Sequence, residues 1–493
     1  MSRKRDYLTP RPDDERALRP SAHGQARGVA FQFEGKTCTG AAGDTIAKAL
    51  FRNGIRTFSH SIKYGRNRSI ACGRGRCVAC LVEVNGTPGV KACTTPITEG
   101  MRVRRQHYGP FYAPLLTAVL RRTSFPAGFY YRMFTRPRAV RRMFSRTLRQ
   151  MAGVGRIDGK PPAPRQGLRR DSPFRGLKDR YDVVIVGAGL SGMSAASAAA
   201  AAGAEALVVE EYAFLGGHAI GHQLDAAHAA SRDDLARKVE DSERITILSG
   251  VAAQGFYAPD RLMLAAEPHG QPGEEGGTVK IVAGGAFVFA TGAQDLIPLF
   301  ENNDMPGIFG CRALRLFLER DGLVPGRSAV VYGQAPEIES AVGLLQANGI
   351  AVAAVAAADR SDIAAAPTAG GDRVLMGARL VRAEGREWIV RAVFELHGGR
   401  RVSVPCDLLC VALPGQPAFE LSYQAGFAYA LGDGPREESR TLLPKELALE
   451  PPSEAPRFLV GQAAAKRDWR EKVGHAAAVG TAAARSGLQR PHR

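Results

Sequence analysis

The sequence predicts a small α+β domain near the amino terminus, followed by an α/β module made of two nucleotide-fold units. Three stretches carry this expectation. They are a four-cysteine run from Cys72 to Cys93, a glycine-rich strand–turn–helix opening at Tyr181, and a second strand–helix–strand opening at Arg327. At 493 residues the chain has room for about three domains of roughly 150 residues each.

The amino-terminal unit comes first. Val29–Phe33 and Lys36–Thr39 alternate around Glu34-Gly35 and read as a hairpin. Asp44 is placed to cap a helix over Thr45–Arg52, closed by Gly54. Leu81–Val84 reads as a strand ending at the turn Asn85-Gly86, and Lys91–Val103 is expected to return alongside it. Between helix and strand lies IACGRGRCVAC, which places Cys72, Cys77 and Cys80 in a C-x4-C-x2-C run, with Cys93 after twelve intervening residues. Four thiolates at that spacing suit a 2Fe-2S cluster. Zinc sites normally use C-x2-C pairs instead. Gly73 and Gly75 let a backbone fold close over such a group, and Arg74 and Arg76 set positive charge beside an anionic centre. Strand, strand, helix, cluster loop, strand, strand is the order of a β-grasp ferredoxin domain.

The second unit reads YDVVIVGAGLSGMSAASAAAAAGAEALVVEE: a strand, a G-x-G-x-x-G turn at Gly187, Gly189 and Gly192, an Ala-rich helix, and a strand ending in Glu210 and Glu211. Gly187 permits the tight turn, Gly189 admits a pyrophosphate, and Gly192 lets helix pack on strand. Leu190 and Ser191 open the helix, whose free N–H groups face the phosphates. Glu210 can accept from a ribose 2′-hydroxyl, which disfavours NADP. FAD and NAD share this fingerprint, so either fits. Gly216 and Gly217 follow the second strand, FVFATG places Thr291 and Gly292 at the end of a later one, and Leu459–Gln462 returns the chain past Gly461 to this fold. Gln462 stands where flavoproteins of this pattern usually carry Asp. In the third unit only Gly333 of the fingerprint survives, and Glu337 and Glu339 would repel a phosphate there. Cys406 and Cys410 sit in the apolar run CDLLCVAL and read as core thiols, while His218 and His475 read as structural or cofactor-adjacent.

The expected boundaries are therefore a basic tail over 1–27, the cluster domain over 28–108, a basic aromatic segment over 109–180, the first dinucleotide part over 181–300, a degenerate second unit over 301–414, and a return over 415–493. Net charge is +18, and residues 101–180 hold twenty Arg and Lys against three Asp. With no nucleic-acid module around it, and with Phe129, Tyr130 and Tyr131 interleaved, that block reads as a surface for a protein partner. No apolar run of about 20 residues suggests a membrane span. The start MSRKRDYLTP carries no secretory pattern, and reduced cysteines point to the cytoplasm.

Several stretches resemble a known family. FPAGFYYRMFTRP (125–137), RQMAGVGRI (149–157), FENNDMPGIF (300–309) and VPGRSAVVYG (324–333) are similar to the amino-terminal half of the sarcosine oxidase alpha subunit, over roughly residues 28–490. SIKYGRNRSI (61–70) with the cysteines resembles the alpha-type subunits of hydrogen cyanide synthase and of opine, proline and hydroxyproline dehydrogenase complexes. The resemblance implies an electron-transfer subunit working beside a beta subunit, an amine-oxidising flavoprotein that takes the small-molecule amine or amino acid. It implies FAD or NAD in the dinucleotide site, and FMN at a subunit interface. No catalytic nucleophile or acid–base pair stands out in this chain. Two other readings fit the motifs: a free-standing NADH-dependent reductase, and a scaffold with a static NAD.

Overall fold

The computed structural model describes residues 28–61, 66–106, 136–151, 173–220, 226–266, 278–357, 373–432, 440–466 and 468–490. Its first domain opens with β1 (Gly28–Phe33) and β2 (Lys36–Ala41), joined by Glu34 at φ 51° and Gly35 at φ 79°. Helix α1 (Ile46–Arg52) follows, then the short pair β3 (Ser59–His60) and β4 (Asn67–Arg68). The hairpin β5 (Leu81–Val84) and β6 (Thr87–Lys91) and the strand β7 (Arg102–Arg105) complete it. The sheet order is β2-β1-β7-β5-β6, with β1 and β7 parallel in the middle. That mixed sheet curls over α1, and Phe31, Ile46, Leu50, Val82 and Met101 fill the space between. Burying each such side chain contributes about 1.5–3 kcal/mol.

Two local expectations are corrected. Thr45, not Asp44, caps α1, its hydroxyl accepting from the Lys48 amide at 3.2 Å. Asp44 accepts instead from the Ala41 amide and pairs with Lys48 and Arg52 at 2.9 Å each. The return expected over Lys91–Val103 is also two strands. Cys93 lies between them, and the chain must leave the sheet there to present its thiol.

Helix α2 (Arg138–Met151) falls in the basic segment and exposes Arg141 and Arg142. Phe129, Tyr130 and Tyr131 lie outside the described residues.

The dinucleotide unit is built on β8 (Arg180–Val186), α3 (Leu190–Ala201) and β9 (Ala206–Glu210), followed by α4 (Ala226–Glu240) and β10 (Ile245–Ser249). The strands β8, β9 and β10 are parallel. An antiparallel run β11 (Ala252–Tyr257), β12 (Arg261–Ala266) and β13 (Thr278–Phe289) completes this path, β13 lying parallel to β8. The strand Arg457–Leu459 joins β13, and the helix Trp469–Leu488 then packs on α3. Small residues set that approach: a Cβ on Gly480 would lie 2.2 Å from the Ala195 carbonyl oxygen, and one on Gly487 2.3 Å from that of Asp182. The Ala-rich composition of α3 thus serves helix-to-helix packing.

After β14 (Ala293–Gln294), the second unit forms a parallel sheet from β15 (Ile308–Gly310), β16 (Ser328–Gly333), β17 (Ala351–Ala357), β18 (Val374–Met376) and a strand at Leu408–Ala412. An antiparallel meander over residues 379–405 packs against it. A Cβ on Gly333 would sit 1.8 Å from the Ala412 carbonyl oxygen, so this glycine serves strand packing. Helix α5 (Cys311–Arg315), continued by a wider turn over Leu316–Arg320, lies between this sheet and the cluster domain. One apolar core runs through both, with the Phe309 ring 5.3 Å from Phe317 and Phe51 6.2 Å from Trp388. Asp304 pairs with Arg66 at 2.7 Å and Arg68 at 3.1 Å across the same boundary.

Candidate functional site

The four cysteines of the loop and its return meet at the inner end of the first domain. Cys80 and Cys93 are buried, Cys72 and Cys77 half-buried, and all are free thiols. Their thiols act on one another's ionisation in a row, Cys77 on Cys72, Cys72 on Cys93 and Cys93 on Cys80. Those effects, with the Arg74 and Cys77 amides, hold the Cys72 thiol far below its ordinary pKa. The Arg74 and Cys77 amides each donate to Cys72 Sγ at 3.4 Å, and the Gly75 amide donates to Cys93 Sγ at 3.2 Å. Gly73 at φ 65° and Gly75 at φ 72° give the loop the left-handed turns that aim these amides inward. Among the described residues, no three His, Cys, Asp or Glu side chains form a site for one metal ion. A row of four thiols with N–H donors on the sulfurs fits a binuclear cluster better than a single zinc.

Beyond this loop lies a cavity of about 670 Å³, and the glycine-rich turn forms its floor. Every dinucleotide-contact candidate from the sequence lines it except Gly192. Gly192 lies beneath: a Cβ there would be 1.8 Å from the Gly187 carbonyl oxygen, so it closes helix onto turn. Gly187, at φ 102°, would place a Cβ 2.4 Å from the Ala290 carbonyl oxygen. At Gly189 an added Cβ meets nothing within 4 Å. That open space, at the amino end of α3, is where phosphate oxygens fit. Gly217 crosses close by, its added Cβ 3.0 Å from Gly189 Cα, and Gly461 faces Ser191 at the helix start.

Glu210 is buried at the end of β9 and accepts from the Ala188 amide at 2.6 Å and the Tyr212 amide at 2.9 Å. Burial pushes its carboxyl up to about 7 in spite of those two amides. Each carboxylate oxygen keeps a free lone pair, so the group can still accept from a ribose hydroxyl. The cavity thus offers amide donors at the glycine turn and a carboxyl acceptor at the end of β9.

The cluster loop also lines the cavity, and sequence reasoning missed this. Arg74, Gly75, Arg76, Lys91 and Thr94 form its wall opposite the glycine turn. Arg76 pairs with Glu211 at 3.2 Å, and Arg74 donates to the Ala293 carbonyl at 3.2 Å. The two arginines expected to face the cysteines therefore reach across to the dinucleotide unit. Lys472, on the closing helix, also lines the cavity, and burial followed by the Arg312 charge lowers it to about 8. Gln462 lines it too, whereas His475 does not. His228 stacks on Trp469 at 4.8 Å along one side. Cys406 and Cys410 are buried far along the chain from the loop, and the neighbouring Cys311 together with burial raises the Cys410 thiol well above its ordinary pKa.

Comparison with known proteins agrees with this geometry. Residues 26–108 match the 2Fe-2S iron-sulfur cluster binding domain, and residues 182–241 match the FAD dependent oxidoreductase family. The chain thus carries a 2Fe-2S binding domain and a segment of an FAD-dependent oxidoreductase fold. Its cluster domain is 32% identical to the hydrogen cyanide synthase subunit HcnA of Pseudomonas aeruginosa over 78 residues, 16% of this chain and 74% of that one. Over 421 residues the chain is 28% identical to the sarcosine oxidase alpha subunit of Rhizobium meliloti, covering 81% of this chain and 41% of that one. It therefore spans about two fifths of that relative's length. The L-proline dehydrogenase of P. horikoshii shares the fold, with a TM-score of 0.62 at 20% identity over 92% of this chain and 73% of that one. No described helix is long and apolar enough to cross a membrane.

Proposed function

We propose that this chain is the electron-transfer subunit of a multisubunit, flavin-dependent amine or amino-acid dehydrogenase or oxidase. A partner flavoprotein would take the amine, and this chain would hold a dinucleotide and the 2Fe-2S cluster. Cys72, Cys77, Cys80 and Cys93 would hold the cluster, and the cavity over Gly187–Ser191 would hold FAD, with NAD as the rival occupant. When bound, the two groups supply a one-electron and a two-electron station.

The observation that carries this reading is the shared wall. Gly75, whose amide donates to Cys93 Sγ at 3.2 Å, lines the dinucleotide cavity, and so does Thr94, the next residue after Cys93. On its other side the loop reaches solvent, with Val78 73% exposed beside half-buried Cys77. A loop with one face on a redox pocket and one on solvent suits a relay. Cations at the described end of the basic segment, Arg141 and Arg142, would steer the partner toward the subunit.

The second nucleotide unit gives the reductase reading little support. Gly333 is occupied with packing, and Glu337 and Glu339 open α6 (Glu337–Ala347) where phosphates would need donors. Purifying the chain with its co-expressed neighbour, then releasing and identifying the cofactors, tests the assignment. Recovery of a flavoprotein partner, FAD and about two irons per chain supports it. Recovery of the chain alone, with rapid NADH oxidation, replaces it with a free-standing reductase.

A further inference from the structure

Arg74 and His218 come from different domains and meet at the cavity wall. Arg74 Nη2 lies 3.4 Å from His218 Nδ1. A guanidinium can only donate, so Nδ1 accepts and the imidazole proton sits on Nε2. Burial and the charges of Arg74, Arg312, Arg315 and Lys472 drive the His218 pKa well below its ordinary value, in keeping with a neutral ring. Nε2 is then a buried donor, and among the described residues it has no hydrogen-bond partner. Such an orphan is destabilising unless a ligand satisfies it.

Arg74 is equally incomplete. Its side-chain partners are neutral, the Ala293 carbonyl and His218, whereas its neighbour Arg76 has Glu211. Among the described residues, a half-buried cation without a carboxylate and a buried donor without an acceptor share one cavity with the glycine turn. An anionic oxygen in that cavity would satisfy both.

We propose that Arg74 and His218 together bind an oxygen of the dinucleotide's diphosphate, so that the bound dinucleotide fastens the cluster domain to the dinucleotide unit. The inference rests on the dinucleotide reading of the cavity and names residues outside the fingerprint as part of that site.

The test uses full-length, cluster-loaded protein freed of dinucleotide, with ADP and adenosine as probes and calorimetry as readout. Charged hydrogen bonds are worth about 1.5–3 kcal/mol, so Arg74→Gln should weaken ADP about 10- to 100-fold and leave adenosine unchanged. Arg74→Lys should recover part of the loss. His218→Leu should weaken ADP by roughly 5- to 10-fold, on the scale of one hydrogen bond, and His218→Gln, whose amide can donate from a similar place, should restore it. Cluster retention is checked by visible absorption. Should Arg74→Gln lose its cluster, the two His218 variants decide, because His218 lies outside the cysteine loop. ADP affinities equal to wild type in Arg74→Gln and His218→Leu would overturn the inference. Gly189→Val separates the two levels. If it alone loses ADP, the dinucleotide reading stands and the Arg74–His218 contact falls. If it too binds ADP like wild type, the dinucleotide reading itself fails.

Discussion

Replacing Glu210 by Gln tests the sugar end of the pocket through stability and needs no activity assay. Glu210 is 4% exposed, and its carboxyl titrates at about 7 in the folded chain against 4.5 as its ordinary value. A carboxyl raised on folding favours the folded state while protonated, so its contribution is lost as pH rises from about 4.5 through 7. Taken at 1.36 kcal/mol per pH unit over that window, the loss is about 3 kcal/mol. Gln cannot ionise, which removes that loss. Its single carbonyl oxygen leaves the Ala188 or the Tyr212 amide without an acceptor, which costs about 1–3 kcal/mol at every pH. The variant should therefore be less stable than wild type near pH 5 and at least as stable as it at pH 8. Urea unfolding of dinucleotide-free protein at a series of pH values measures this. A stability difference that stays flat from pH 5 to pH 8 would refute the assignment of Glu210 as the buried titrating group.

Three further outcomes follow from the geometry. Gly189→Val should leave folding intact, since a Cβ there meets nothing within 4 Å, yet abolish dinucleotide binding; Gly192→Ala should destabilise the domain by several kcal/mol, because its Cβ would overlap the Gly187 carbonyl, and thermal unfolding tells the two apart. Cys77→Ala should lose the cluster's visible absorption and iron, whereas Cys406→Ala should keep both, as iron analysis would show. Reversing the charge at exposed Arg141 and Arg142 should slow association with the partner and weaken its dependence on salt, with little change in dissociation, as stopped-flow and surface-binding measurements would record.

The parts of this protein that were legible in its sequence are those where backbone must approach something closely. Gly187, Gly189 and Gly192 were readable because each answers a different steric demand, and Cβ placement shows three different neighbours: a carbonyl, open space and the preceding turn. The cysteine spacing was readable because the loop conformation that brings four thiols together is local in sequence. Asp44 misled as a helix cap because Thr45 beside it is an equally good one, and the choice is decided by Lys48 and Arg52, which take Asp44 as an ion-pair partner. Arg74 and Arg76 were read as companions of the cysteines, but their partners lie 144 and 135 residues away at His218 and Glu211. Nothing in a local period announces a contact of that separation. The same holds for the core shared by Phe51, Phe309 and Trp388, which fixes the cluster domain on the second unit and so brings its loop to the cavity.

The most direct test of the central claim is to watch the cluster while electrons are offered from each side. The chain is purified with the flavoprotein proposed as its partner, kept free of oxygen, and followed by visible absorption and low-temperature electron paramagnetic resonance. Addition of the partner's amine substrate should reduce the cluster on the turnover timescale, and the Cys77→Ala complex should show no such signal. Cluster reduction by NADH in the isolated chain at enzymatic rates, with no response to any amine in the complex, would contradict the account.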